Sequence, residues 1–593
     1  VRVLTTILFV TFGASLVATG ACGNDNRGFL TTVGTFDSDA GTDAGACPLQ
    51  CSLDGRFVVR SCTGEKIEDC PPEQACGDAK CQEPCAAAAV ARSSNGCDFL
   101  FQIPRFNKYS LQHCFATFLV NTSAVPVDVA LEFDGKPIDI SKALYRTNPG
   151  DSSLIQHDGL IQPGDSAILF VSDRDPNIRR PIEYPPHVAC PRGVTPAVLA
   201  ESTLPVGVGI GKAFRLTSNV PIGATSMYPF GGAGSFIPMA TLLLPVATWG
   251  TESMIVNGWE ATQVGVPAAH IFAAEDGTTV TVTPTVDLQG GNGLPGTPAQ
   301  VPATYRLERN QILQLAQSVE LSGTIVSSNK PTSIVGAQSC AFVPSRGGAC
   351  DVLAQQLPAY EQWGSEYVGV GYRPRTGNEH EPMPYRIVAA KDHTRFDWDP
   401  ELPMGAPLEL AAGQVVTFWS GTGDAFVVRS QDADHPFYLA ALMTGPDSDG
   451  SSMAPNYGGR GDPEFVNVVP SGQYLSSYSF YADPTYAETS LVVVRSKNRD
   501  KFEDVWLECA GTLTDFRPIG TRGQYEFVRI DLSRNHEAGQ AFGSSVCRTG
   551  LQRMRSDGPF TATLWGWDLY ASYAYPGGMA QRKLVNTPLA PVH

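Results

Sequence analysis

Charge is scarce in this chain. Only 17% of its 593 residues are Asp, Glu, Lys or Arg, and basic residues are the minority, 42 against 59, for a net charge of −17. There is no polybasic cluster, which excludes a nucleic-acid footprint. DNA and anionic lipid surfaces are poor partners, because each contact would meet repulsion. Long apolar runs are also missing: after the first twenty residues none approaches the roughly 18 needed to span a bilayer. Zincin HExxH, the GxSxG elbow and the Walker loop are all absent. The nine histidines are scattered. Their closest approach to a cluster, Glu379-His380-Glu381 followed by His393, falls in a Gly/Pro-rich loop and the next hairpin, and reads as solvated. No metal or cofactor is expected. Long amphipathic helix patterns are scarce too. Against these absences stand 59 glycines, 45 prolines and 42% hydrophobic residues, the composition of a globular chain of strands and turns.

The N-terminus reads as an export signal. Leu4 to Val17 is apolar, follows the single basic residue Arg2 and runs into Ala18-Thr19-Gly20-Ala21. That is too short for a transmembrane helix. Cys22 follows these small residues as in a lipobox, although Thr19 stands where Leu is usual, and is the expected acylation site. Val1 suggests an alternative start codon. Removing Cys22 from the 15 cysteines leaves 14, an even number, and cysteines of exported chains usually pair. Cys47, Cys51, Cys62, Cys70, Cys76, Cys81 and Cys85 crowd together, with Cys97 and Cys114 close behind, then Cys190, Cys340, Cys350, Cys509 and Cys547. All are disulfide candidates. Spacing leaves the connectivity open, with Cys340–Cys350 and Cys509–Cys547 the natural local guesses. Residues 1–21 are thus assigned as signal peptide, 22–46 as a flexible polar tether, 47–97 as a Cys-rich disulfide knot and 98–593 as the body.

The body repeats. An Asp-Gly or Asp-x-Thr turn between alternating segments recurs at 272–284 and 387–400, with looser copies at 118–135 and 491–508, and reads as a hairpin. A strand opened by a short polar turn recurs at Gly164, Asn310 and Gly413, with YEFVRIDL (525–532) as a fourth copy. A Ser-polar-x-Pro element between apolar strands recurs at Pro221, Pro331, Pro436 and Pro559, about every 110 residues. LLPVATWGTE (243–252) resembles QLPAYEQWGSE (356–366), with VVPSGQYLSS (468–477) a looser third. Four repeats follow, at approximately 114–245, 246–358, 359–470 and 471–580. The period exceeds the ~40–50 residues of propeller repeats and predicts an all-β chain of tandem β-sandwich-like repeats, with one closed propeller-like assembly as the rival.

The Cys-rich opening, LPVATWGTE, QLPAYEQWGSEY, EDGTTVTV, SSNKPTSIVGAQSC and LYASYAYPGG resemble the IgGFc-binding protein N-terminal domain family over roughly 97–580, and in particular its bacterial, myxobacteria-like lipoprotein members. These motifs are structural and carry no functional residue across. The resemblance implies an exported, lipid-anchored, non-enzymatic binding or adhesion protein of the bacterial cell envelope, on the outer membrane or cell surface. It would meet the membrane through its N-terminal lipid and recognise a protein or glycan ligand: a glycoprotein, a glycan or an envelope partner. A structural envelope protein is the alternative, and a carboxylate-dependent hydrolase the weakest reading. Arg460-Gly461-Asp462 reads as a chance tripeptide within a long polar loop (445–464) that is the best guess for a binding loop. In the same loop Asp447-Ser448-Asp449-Gly450 has weak calcium-like spacing. Trp249, Trp363, Trp565 and Trp567 read as packing residues.

Overall fold

The computed structural model describes residues 48–52, 56–61, 63, 65–105, 113–178, 187–235, 237–344, 349–448, 450–589 and 591. The expected signal peptide, tether and acylation site Cys22 lie outside the described residues, as do Cys47 and Cys62. Among the described residues no helix is long and apolar enough to cross a membrane.

The chain is all-β, built from four sandwich-like repeats whose sheets curl into two layers. One long strand in each repeat makes both layers. In the first repeat it is Phe214–Tyr228. Its leading half, Phe214–Ser218, pairs with Val129–Phe133 and with Gly96–Phe101, and its trailing half pairs with Phe115–Asn121 and Met239–Leu242. Ile325–Ala341 does the same in the second repeat, with Gly250–Met254 and Thr278–Thr283 on one half and Pro267–Ala273 and Asp351–Leu357 on the other. Gly550–Asp568 does it in the fourth, between Leu475–Ala482 and Val505–Leu507, then Glu488–Ser496 and Ala571–Pro576. In the third repeat the long strand is broken into Phe426–Ser430 and Phe437–Met443. The layers there separate into two four-stranded sheets.

The Ser-polar-x-Pro element is the corner where the long strand changes layer. Ser218 Oγ donates to Val220 O at 2.7 Å, Ser328 Oγ to Lys330 O at 2.7 Å and Ser430 Oγ to Asp432 O at 3.1 Å. Ser556 Oγ instead accepts from Gly558 N at 3.0 Å. The serine thus satisfies a backbone group that the ladder drops, and the proline removes an N–H where no ladder partner exists. The polar-turn strands are Ser166–Asp173, Gln311–Ala316, Val415–Gly421 and Tyr525–Arg534. They occupy equivalent places, each flanking the partner of the long strand's trailing half.

The Asp-Gly turns differ from expectation. Pro267–Ala273 and Thr278–Thr283 do not pair with each other; both pair with opposite halves of Ile325–Ala341. The turn at Asp276-Gly277 (Gly277 φ +66°) therefore crosses between layers instead of closing a hairpin. The same holds for Pro382–Ala389 and Thr394–Asp399. Turn chemistry is local and serves either connection equally.

The four repeats close into a ring. Met239–Leu242, Asp351–Leu357, Glu464–Asn467 and Ala571–Pro576 line one axis, each packed on the next and the last on the first. Across this axis Gln355 Nε2 donates to Ala240 O at 2.6 Å and to Ala574 O at 3.3 Å. At one end a circuit of hydrogen bonds joins all repeats. Gln362 Nε2 donates to Thr248 O (2.5 Å), Gln473 Nε2 to Gln362 O (3.0 Å) and Ala580 N to Gln473 O (2.9 Å). Gln581 N then donates to Arg92 O (2.7 Å), and Arg92 Nη2 returns to Thr248 O (3.3 Å). The sandwich-like repeats are thus also one closed assembly.

The Leu-Pro…Trp-Gly segments form this end. Trp249 Nε1 donates to Leu244 O (3.0 Å) and Trp363 Nε1 to Pro358 O (3.2 Å), each folding the segment back on itself. The following glycine admits the next repeat: a Cβ on Gly364 would lie 2.4 Å from Pro470 Cβ. Aromatic pairs fill the seams, with Phe118 on Tyr481 (4.5 Å between centroids) and Tyr372 on Trp565 (5.0 Å).

Before the ring lies a small segment of short strands and one helix, Pro84–Ala91. Disulfides Cys51–Cys76, Cys70–Cys81 and Cys85–Cys97 hold it, and the last ties it to the first strand of the ring. Cys114–Cys190, Cys340–Cys350 and Cys509–Cys547 staple the repeats themselves.

Candidate functional site

A groove of about 780 Å³ opens between the third and fourth repeats. One wall is the Pro-rich connection 400–408, which follows strand Thr394–Asp399. Backbone bonding of Trp419 N to Met404 O (2.9 Å) folds this loop onto strand Val415–Gly421. From the fourth repeat, Thr521 N and Oγ1 both donate to Asp399 Oδ1 at 2.8 Å, so the base of the loop is held across the seam. The loop then presents Leu402, Met404 and Leu408 at 49%, 59% and 65% exposure. Large apolar side chains grouped at this exposure mark a contact surface. Trp419 and Phe527 line the groove, and the Arg517 guanidinium lies 4.5 Å over the Phe527 ring. At the rim His380 Nδ1 meets Asp424 Oδ2 at 2.9 Å. That hydrogen bond and the carboxylate charge raise the imidazole's pKa above its ordinary value. The groove offers apolar faces, one cation and several exposed polar groups, which suits holding a ligand.

The residues singled out from the sequence are distributed differently. Glu379, His380 and Glu381 diverge. Glu379 accepts from Arg529 Nη1 (2.8 Å), His380 turns to the groove rim, and Glu381 is fully buried against Arg375 (2.7 Å). His393 pairs with Glu409 in a separate exposed turn. Among the described residues no group of three or more His, Cys, Asp or Glu is placed to hold a metal ion. Asp462 of the Arg-Gly-Asp tripeptide is fully buried, so the tripeptide cannot be presented. The 445–464 loop is packed down: Tyr457 is buried with the Arg375 guanidinium 3.6 Å over its ring. Deleting 446–460 would remove that core contact. The loop's share in the groove is Met453. Asp449 lies outside the described residues, and Asp447 accepts from Tyr570 OH at 3.3 Å. Trp249, Trp363, Trp565 and Trp567 are all buried. Sequence reasoning missed Trp419, Met404 and Arg517. The available signal was the segment PELPMGAPLE, where Leu and Met alternate with prolines in a loop.

The family described as IgGFc binding protein matches residues 239–566, more than half of the chain. The chain belongs to the IgGFc-binding protein family. The match opens at the axial strand of the first repeat and ends in the long strand of the fourth. The family is one of non-catalytic binding domains. The human IgGFc-binding protein is 29% identical over 130 residues, covering 22% of this chain and 2% of the human protein. The chain therefore spans a small fraction of that relative's length. This relative corrects the expected origin: a bacterial, myxobacteria-like lipoprotein member and a bacterial envelope location do not stand against a human match. The physical reason is that the quoted motifs are corners, layer crossings and ring contacts. They report the fold, which is common to family members whatever their source.

Proposed function

We propose that the chain is an exported, non-enzymatic adhesion module whose ring recognises a glycoprotein or glycan through the groove between the third and fourth repeats. The observation carrying this reading is the exposed pair Leu402 and Met404 beside Trp419 in a groove of about 780 Å³. Aromatic and apolar side chains grouped with a few polar ones are the composition of interface centres. Binding of the full chain to immobilised glycoproteins, free glycans and IgG Fc tests it. The double variant Leu402→Asp/Met404→Asp is expected to weaken capture of whichever probe binds by at least about tenfold, since each buried apolar anchor contributes about 1–2 kcal/mol. Both positions are exposed, so folding should survive. Undiminished binding would remove the groove from the reading.

Export and anchoring belong to the same proposal. An acyl group on Cys22 would tether the ring through the polar segment 22–46; two chains hold stably where one is marginal. Fatty-acid labelling should mark the wild-type chain and not Cys22→Ser. An unlabelled wild type would rule out the anchor and leave the groove untouched.

A further inference from the structure

Where the first and second repeats meet, a second cleft of about 360 Å³ opens beneath residues 205–207. Its floor is made by strands Pro267–Ala273 and Gln311–Ala316, on which His270 and Gln314 stand directly opposite in register, both buried. Ala268, Ala316, Ala337 and Val352 make it apolar, and Val206 and Val264 flank the mouth at 65% and 52% exposure. The rim is held in place. Gln314 Nε2 donates to Pro205 O (2.6 Å) and Gly207 O (2.8 Å), and Asn292 Nδ2 donates to Val206 O (3.0 Å) and Val208 O (2.6 Å).

These bonds fix the chemistry of the floor. Both hydrogens of the Gln314 amide are used on the rim, so only its oxygen remains for His270, with which it hydrogen-bonds. The His270 ring N–H must therefore be the donor in that bond. Burial holds the imidazole neutral, its pKa pushed down to about 4. A neutral imidazole has one donor and one acceptor nitrogen. With the donor engaged by Gln314, the other ring nitrogen is the acceptor, and His270 is one of the residues lining the cleft. Arg105 at the mouth donates to Leu204 O (3.0 Å) and lies near Glu201, which meets part of its charge.

We propose that this cleft binds a small, mainly apolar molecule bearing one hydroxyl or N–H group, which donates to His270. The volume, apolar walls, held rim and a few polar groups, His270 among them, are those of a preformed small-molecule site. It lies on the opposite seam from the groove, and neither reading depends on the other.

The probes are 2-naphthol and naphthalene, which share an apolar body and differ by the donor. Equilibrium dialysis against the full chain at neutral pH should show one 2-naphthol site, with naphthalene about tenfold weaker, the usual worth of one buried hydrogen bond. His270→Phe should bring 2-naphthol down to the level of naphthalene. Val206→Glu and Val264→Glu, at exposed positions that leave the core intact, should weaken both probes. Equal affinity for the two probes, no binding of either, or binding indifferent to the two mouth variants would overturn the proposal.

Discussion

Arg375→Met is expected to destabilise the ring by about 3–5 kcal/mol, the typical result of leaving one member of a buried ion pair without its partner. Arg375 and Glu381 are both fully buried. The guanidinium donates to Glu381 Oε1 (2.7 Å), Thr444 O (2.8 Å), Arg460 O (3.0 Å) and Thr444 Oγ1 (2.6 Å), and it stacks on Tyr457. It therefore ties the third repeat's core to the 445–464 loop. Burial, the largest single influence, lowers its pKa, but the Glu381 charge together with Tyr372, Tyr457 and the hydrogen bond to Glu381 raises it above its ordinary value. Methionine would fill part of the volume while removing every side-chain donor, leaving the buried Glu381 carboxyl without its cation and with only the Tyr372 hydroxyl (2.8 Å) and one backbone N–H. Adding Glu381→Gln should restore part of the loss, because the stranded charge goes. Denaturant midpoints of the three variants decide it. A loss below about 1 kcal/mol, or no recovery in the double variant, would show that the pair is not held as described.

Stability should also fall as pH rises from 4 to 7, and Asp483→Asn should remove a measurable part of that fall. Asp483 is fully buried, and burial pushes its pKa up to about 6. Its Oδ1 accepts from Thr485 N (2.7 Å) and Oγ1 (2.6 Å), while Oδ2 has no partner. A carboxyl whose pKa is raised on folding stabilises fully below its ordinary value near 4, and that contribution is lost as pH rises through about 6. The shift corresponds to on the order of 3 kcal/mol. Asparagine keeps the Oδ1 acceptor and cannot ionise. Burial pushes Asp351, Asp462 and Glu464 the same way; the charges of Asp462 and Glu464 add to the effect on Asp351, and Arg375 opposes it at Asp462. The variant should therefore keep a residual slope. Urea midpoints of both proteins at pH 5 and pH 7.5 test this. A wild-type difference that the variant reproduces unchanged would overturn it.

Much of the repeat architecture was legible because its signals are local. A serine that bonds two residues along the chain and a proline that cannot donate mark the layer change wherever they fall. The Trp249 and Trp363 segments fold back on carbonyls five residues before them. Such features recur in the sequence as they recur in space. The hairpin reading of Asp276-Gly277 failed for the same reason: a turn states that the chain reverses, and not which strand it will lie beside. The groove was illegible because its two walls, near 402 and 517, are more than a hundred residues apart and neither has a shape alone. Asp462 and Tyr457, in a segment that reads as polar loop, are buried only because the neighbouring repeats enclose them.

By itself, then, the sequence determined an all-β chain, its corners, its period of about 110 residues and its disulfide-rich opening, since each follows from hydrophobic alternation, backbone bonding or cysteine content within a short stretch. Only the tertiary structure decided that four repeats close on one axis, that carboxyl groups are sealed along it and that the seams open into a groove and a cleft. Those features depend on which surfaces of distant repeats meet. That is settled by burial and by a circuit of hydrogen bonds from Arg92 to Gln581, groups far apart in the chain whose pairing no local pattern encodes.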